Sequence, residues 1–75
     1  MKTEKRIYNR IKSQLALAQK KNKDLAEFLD VSETTVSKWC TNYSQPSLPQ
    51  LYEIAGFLSI GVIDLLEPIV KKIKK

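Results

Sequence analysis

The residues in this chain best suited to chemistry are polar side chains on one face of a short helix predicted after Ser32. Ser32 is a good N-cap, because its hydroxyl can accept a hydrogen bond from a free backbone N–H of the first turn. Val36, Trp39 and Cys40 then recur at the spacing of one apolar face. The opposite face carries Glu33, Thr34, Ser37, Lys38 and Thr41. Lysine, threonine and glutamate can each contact base edges, so this face is suited to the major groove of DNA.

A second short helix is predicted just before this one, with Leu25, Ala26 and Leu29 on its apolar face. We expect Asn22 to cap its start, and Asp30 to adopt a left-handed conformation in the turn that follows. A helix of under three turns is barely stable alone. Both helices must therefore be docked on a scaffold that leaves the polar face of the second one outward.

The segment 22–47 resembles the helix-turn-helix of the phage-repressor family (Cro/cI or Xre-like DNA-binding domains). The resemblance is in the joint spacing of several elements and covers roughly 7–66. It implies a compact, all-α, five-helix lambda-repressor-like domain over residues 1–67, followed by a basic C-terminal tail, 68–75. The residues that carry it are Leu25-Ala26, Val31-Ser32, Thr35-Val36, Trp39 and Gln45-Pro46-Ser47.

Apolar spacing predicts the inner faces of the other helices. The first helix is expected from about Asn9 to Ala18, with a core stripe of Ile7, Ile11, Leu15 and Ala18. The fourth is expected after a Ser47 cap, with Pro49 in its first turn and an inner stripe of Leu48, Leu51, Ile54, Ala55 and Leu58. A short fifth helix should contain Ile63, Leu65 and Leu66, and Asn42 suits the left-handed end of the third.

The chain departs from the family pattern where members often bury an arginine against a glutamate. Cys40 occupies the glutamate position and Leu15 the arginine position. We therefore expect an apolar contact in place of an ion pair, an exchange that is often neutral or stabilising. Cys40 is interpreted as a small buried side chain rather than a redox sensor, and Trp39 as core rather than a stacking platform.

The resemblance also implies which residues contact DNA. The predicted base-contacting residues are Glu33, Thr34, Ser37 and Lys38, although Glu33 could instead serve as a charge that complements the helix dipole. Asn22 stands where the family usually has a phosphate-binding glutamine, and that role is compatible with capping. The predicted phosphate-contacting residues are Lys21, Asn22, Lys23, Ser32, Thr41, Tyr43, Ser44 and Gln45.

Composition limits the other possibilities. Seventy-five residues are enough for one domain. One cysteine and no histidine make a zinc site or a Cys–His nucleophile pair very improbable, so we expect no metal and no cofactor. We expect no signal peptide, because the charged N-terminus is not followed by an apolar stretch, and no segment of the sequence approaches the roughly 20 apolar residues of a membrane span. A single cysteine also fits a reducing compartment, so a cytoplasmic localisation is expected.

The net charge of +5 is unevenly distributed. Residues 1–23 carry eight Lys/Arg against one acid, residues 24–67 carry one lysine against seven acids, and the tail from Pro68 adds four lysines. Charged ends can simply keep a small domain in solution. With this motif, they can also supply the attraction to phosphate.

The sequence thus predicts a sequence-specific DNA-binding transcriptional regulator, most simply a repressor, without enzymatic activity. Family members commonly bind two-fold-related half-sites, so the expected partners are double-stranded DNA and a second copy of the chain. The dimer interface is left open between the fifth helix and the apolar tail residues Ile69, Val70 and Ile73. The alternative is an antitoxin-type or other protein-interaction module. An enzyme lacks any paired acid/base constellation, and a membrane-surface peptide does not fit the patterned core.

Overall fold

The computed structural model describes residues 7–68, and within that range the architecture is all-α. Four α-helices follow one another: α1 (Ile11–Leu17), α2 (Asn22–Leu29), α3 (Glu33–Cys40) and α4 (Leu48–Leu58). A single turn of 3-10 helix, Val62–Leu65, stands where the sequence predicted a fifth α-helix. The all-α prediction is confirmed and the helix count is slightly wrong, because the residues after Gly61 form a single tighter turn in place of an α-helix.

The core lies where α1, α2, α3, α4 and the 3-10 helix meet. α2 packs against both α3 and α4, while α1 packs against α3 and the 3-10 helix. Every one of these elements contributes at least one fully or nearly fully buried apolar side chain. The buried set is Ile11, Leu15, Leu25, Ala26, Val36, Trp39, Ile54, Ala55, Leu58 and Leu65. Burial of each large apolar side chain contributes about 1.5–3 kcal/mol, so this shared core holds the short helices in place.

Side-chain caps begin two of the helices as the sequence predicts. Ser32 Oγ accepts a hydrogen bond from Thr35 N at the start of α3 (3.0 Å). Ser47 Oγ accepts from Gln50 N, and Gln50 Oε1 in turn accepts from Ser47 N (2.8 Å), which forms a reciprocal capping box. The prediction for α2 is wrong, because Lys21 and not Asn22 is its N-cap residue. Asp24 satisfies this end instead, its carboxylate accepting from Lys21 N (2.9 Å).

All four α-helices are followed by a residue with left-handed backbone, and none of these residues is glycine. The residue after each left-handed position donates its N–H back to the last turn, as in Lys20 N to Leu15 O (2.9 Å) and Ile60 N to Ala55 O (3.0 Å). The predictions for Asp30 and Asn42 are confirmed. The four residues are Gln19, Asp30, Asn42 and Ser59, with φ between 58° and 62°.

Two apolar residues assigned to the core by periodicity are exposed. Ile7 is 50% exposed because α1 begins only at Ile11, so Ile7 lies outside the helical register. Leu48 is 64% exposed, and the buried apolar position at this end of α4 is taken by Pro46. The rest of both stripes is buried or partly buried against the core.

The two ends of the described chain lie side by side. Asn9 and Leu66 form an isolated antiparallel bridge, in which Arg10 N donates to Leu65 O (2.7 Å). Glu67 N donates to Tyr8 O (2.8 Å), and an exposed Arg10–Glu67 ion pair at 3.9 Å flanks the bridge. An ion pair this exposed contributes little, so the backbone bonds carry the contact.

Candidate nucleic-acid interface

The core fixes α3 so that one side of the helix is buried and the other is free. Val36 is 0% exposed and Trp39 is 3% exposed. Both belong to the same core cluster as Leu25 and Ala26 of α2. The prediction that Trp39 is a core residue is therefore confirmed. With its inward face anchored at two positions a helical turn apart, α3 has a defined orientation on the domain surface.

The outward face of α3 carries the predicted base-contacting residues. All four are exposed, and their spacing of three and four residues places them on one side of the helix. Glu33 lies in the first turn, where a negative charge also complements the helix dipole. Lys38 lies in the last turn. The structure therefore brings together Glu33, Thr34, Ser37 and Lys38.

The carbonyl of Lys38 is the point around which the chain turns after α3. Tyr43 N donates to Lys38 O (2.9 Å), and Ser44 N points to the same oxygen (3.3 Å). Thr41 Oγ1 also donates to it (3.2 Å). The Lys38 ammonium in turn lies over the Tyr43 ring, 5.6 Å from its centroid, which suits a weak cation–π contact. The end of α3 and the following residues therefore form one ordered unit.

Apart from Asn22 and Gln45, the predicted phosphate-contacting residues fall into two groups. Lys21, Lys23, Tyr43 and Ser44 have exposed side chains at the two ends of the two-helix unit. The Thr41 hydroxyl already serves the Lys38 carbonyl, and the Ser32 hydroxyl serves as the α3 cap and contacts the Thr35 hydroxyl (2.9 Å). These two therefore have less hydrogen-bonding capacity left for a ligand than the sequence indicates.

Asn22 is the first residue of α2 and is half-buried against the end of α3. The Cys40 thiol donates to Asn22 Oδ1 across 3.6 Å. Asn22 Nδ2 remains as a donor beside the free backbone N–H groups of the first turn. The expected purely apolar replacement of the family's ion pair is thus wrong in one respect: Leu15 is buried, but Cys40 has a polar partner.

Burial raises the pKa of the Cys40 thiol above its ordinary value, and the nearby charge of Lys12 acts in the opposite direction. The thiol form is therefore favoured at neutral pH. A neutral thiol is a poor nucleophile and a poor metal ligand. Among residues 7–68, no cluster of three or more His, Cys, Asp or Glu side chains could hold a metal ion.

A buried asparagine that sequence reasoning missed lies behind this surface. Asn9 is 4% exposed, and its Nδ2 donates to Trp39 O (3.0 Å) and to Gln45 Oε1 (2.7 Å). Gln45 Nε2 donates to Asn42 Oδ1 (3.2 Å), so the Gln45 amide is engaged within the protein. Asn9 Oδ1 accepts from Ile11 N, a local bond that a polar residue two positions ahead of the first helix could have indicated.

Comparison with known proteins identifies the family. A family model described as Helix-turn-helix matches residues 4–65. The chain belongs to the helix-turn-helix family. The two helices of the helix-turn-helix motif are α2 and α3. The matched residues include every described helix.

A solved structure is similar to this chain in both sequence and fold. The crystal structure of a "putative DNA-binding protein" from Bacteroides fragilis is 46% identical in sequence and superposes with a TM-score of 0.78. The match covers 79% of this chain and 95% of that one. The search of curated proteins gives no match. No helix of this helix-turn-helix protein within residues 7–68 is long and apolar enough to cross a membrane.

Proposed function

We propose that this protein is a sequence-specific DNA-binding transcriptional regulator that inserts α3 into the major groove. The observation that carries the proposal is the division of α3 into a buried face at Val36 and Trp39 and an exposed polar face from Glu33 to Lys38. An α-helix fits the major groove of B-DNA, and base edges there present distinct donor and acceptor patterns. The Bacteroides fragilis relative, described as a putative DNA-binding protein, supports the same role.

The proposed roles of the exposed residues follow from their chemistry. Lys38 donates to guanine O6 and N7, Thr34 meets a thymine methyl or a base acceptor, and Glu33 accepts from cytosine N4. Asn22 holds a phosphate through Nδ2 at the start of α2, where the helix dipole favours an anion. Exposed lysines on either side add affinity that does not depend on sequence. These are Lys21 and Lys23.

The regulator acts as a cytoplasmic repressor that excludes polymerase from its operator, and it binds as a homodimer. Ile63 is 75% exposed on the 3-10 helix and Leu66 is partly exposed beside it, which supports an interface at this end of the domain. The tail residues Ile69, Val70 and Ile73, also candidates for this interface, lie outside the described residues. A dimer presents two copies of α3, so its operator has two-fold-related half-sites about one helical turn apart.

Selection of bound duplexes from a random library tests the proposal. The expected result is an enriched sequence with two inverted half-sites. A binding profile without sequence enrichment would overturn sequence-specific recognition, and enrichment of a single undivided site would overturn the dimer. Sedimentation of the free and DNA-bound protein gives the oligomeric state independently.

A protein-interaction role is the second candidate, and one observation favours it. The rings of Phe28 in α2 and Phe57 in α4 are in tilted contact, with 4.8 Å between centroids and 37° between planes, although Phe28 is more than half exposed. Lys20 lies over the Phe57 ring at 5.5 Å. Aromatic side chains are enriched in protein–protein interfaces. An antitoxin-type role predicts stoichiometric co-purification of a second protein that Phe28→Ser abolishes while DNA binding persists.

A further inference from the structure

Asn9 connects three parts of the domain through one buried amide. Its Oδ1 accepts from Ile11 N at the start of α1 (3.0 Å). Its Nδ2 donates to Trp39 O in the last turn of α3 and to Gln45 Oε1 in the segment that follows. Both amide hydrogens and the carbonyl oxygen are therefore used inside the protein, as a buried polar group requires.

Asn42 makes the reciprocal connection. Its Oδ1 accepts from Tyr8 N and Asn9 N, both at 2.9 Å, and its Nδ2 donates to Asn9 O (3.2 Å). Gln45 Nε2 donates to the same Oδ1 (3.2 Å), which joins the third amide to the pair. We name Asn9, Asn42 and Gln45 the amide cluster.

Two members of the amide cluster, Asn42 and Gln45, lie on either side of Tyr43 and Ser44 in the chain. Tyr43 and Ser44 have exposed side chains, and their N–H groups point to the Lys38 carbonyl at the end of α3. The chain is thus fixed on both sides of Tyr43 and Ser44 while their side chains face solvent. A segment held in this way loses little conformational entropy when it binds, so it binds more tightly than a mobile one.

We propose that Asn9 is a positioning residue for DNA binding, which holds the segment 42–45 in place to contact the DNA backbone. This inference rests on the proposed function. Asn9 touches no ligand itself and acts through Asn42 and Gln45. The role concerns phosphate contacts, since α3 keeps its own anchors at Val36 and Trp39.

The first variant is Asn9→Ala, which removes the side-chain donor to Trp39 O, still bonded by Asn42 N, and leaves Gln45 Oε1 without its donor. At a temperature where the variant is fully folded, affinity for the selected operator and for an unrelated duplex should fall by a similar factor, roughly ten-fold. The log–log salt dependence should flatten by about one unit per subunit, because a phosphate contact is lost. The base preferences of the enriched site should remain.

The second variant, Asn42→Gly, guards against a folding defect in the first. Glycine keeps the left-handed backbone that ends α3, while the side-chain links to Tyr8, Asn9 and Gln45 disappear. It should reproduce the loss of affinity and the flatter salt dependence. The double variant should be little worse than either single one, because both remove the same coupling.

Gln14→Ala is the matched control. Gln14 Nε2 donates to Asp64 O (3.1 Å), a side-chain bond between α1 and the 3-10 helix that does not involve the amide cluster. It should lower the melting temperature without changing the salt dependence. A merely structural Asn9 would behave in the same way as this control.

The possible outcomes separate the two proposals. Wild-type affinity and salt dependence in Asn42→Gly would overturn the positioning role, as would an equal loss of affinity in Gln14→Ala. Altered base preferences in Asn9→Ala would also overturn the positioning role, because they would show that Asn9 acts on the orientation of α3 and not on the segment 42–45. If the wild-type chain binds no duplex from the selection, the proposed function itself fails and the positioning role fails with it.

Discussion

The Cys40 thiol and the Asn22 amide join the end of α3 to the beginning of α2. The Sγ atom lies 3.6 Å from Asn22 Oδ1 and donates to it. The contact orients the amide so that its oxygen faces the protein and its Nδ2 is left for another acceptor. A weak thiol donor contributes little energy, but it fixes which end of the Asn22 amide faces outward.

Replacing Cys40 with alanine should separate stability from binding. Cys40→Ala removes a partly buried side chain and one weak hydrogen bond, so we expect a loss of about 1–2 kcal/mol in the free energy of unfolding. DNA affinity should stay within a few-fold of wild type, because Asn22 retains its position on α2. Cys40→Ser, which restores a donor, is the control. Thermal melts and gel-shift titrations measure the two effects, and unchanged melting with abolished binding would contradict this assignment.

The same thiol gives a prediction for alkaline pH. Burial raises the pKa of the Cys40 thiol in the folded protein, so the unfolded chain releases this proton at a lower pH than the folded one. The contribution to stability is therefore complete below the unfolded pKa, about 8.5, and is lost as pH rises through the folded pKa. Chemical denaturation across this range should show the difference between wild type and Cys40→Ala shrinking as pH rises. A constant difference would mean that the thiol is not buried in the folded state.

Lys38 and Asn22 should fail in different ways. Lys38→Ala removes a donor on the outward face of α3. It should therefore weaken binding to the best operator by about 1–3 kcal/mol and relax the base preference at one position per half-site. Asn22→Ala removes a phosphate donor, so it should weaken all duplexes by a similar factor. Selection profiles for the two variants provide the measurement. If Asn22→Ala reshapes the base preferences while Lys38→Ala lowers affinity evenly, α3 is not the helix in the groove.

Operator binding should depend steeply on salt. If each subunit neutralises roughly four to six phosphates, the log–log slope for the dimer should lie near −7 to −11. Titrations by fluorescence anisotropy over a range of salt concentrations measure this slope. A slope near −2 would show that the basic ends of the chain do not engage DNA.

Glycine should stabilise two of the helix ends. Gln19 and Ser59 adopt left-handed backbone, which costs a residue with a Cβ roughly 1–2 kcal/mol. After allowing for the greater freedom of glycine in the unfolded chain, Gln19→Gly and Ser59→Gly should each raise the free energy of unfolding by about 0.5–1 kcal/mol. Ala16→Gly, at an exposed position in the last turn of α1, should lower it by a similar amount. If all three variants destabilise the protein, the left-handed assignment is wrong.

Local patterns in the sequence were sufficient to predict most of the fold. Ser32 and Ser47 precede apolar periodicity and do cap their helices, and Trp39 follows Val36 at helical spacing and is buried. Periodicity failed at Ile7 because α1 begins only at Ile11, and at Leu48 because an apolar pattern does not show whether the first turn of a helix reaches the core. It also could not distinguish a 3-10 turn from a short α-helix after Gly61.

The candidate site was predictable only in part, for a related reason. The exposed face of α3 follows from its buried face, so the exposure of Thr34 and Lys38 is predictable from spacing, while their contact with bases stays a prediction. The amide cluster depends on contacts across more than 30 positions of the chain, such as Asn9 to Asn42. No local pattern encodes such a pairing. The phosphate contact of Gln45 stays a prediction, and the engagement of its amide by Asn9 and Asn42 is the feature that the sequence does not indicate.

The antiparallel bridge between Asn9 and Leu66 has a mechanical consequence. The two ends of the described chain, at Tyr8 and Glu67, lie next to each other, so a force that separates these residues acts first on the bond between Glu67 N and Tyr8 O. The bond between Arg10 N and Leu65 O is loaded only afterwards, which is the geometry of unzipping rather than shearing. The bridge between the two ends should therefore open at low tension, while the helices packed against α3 remain in place.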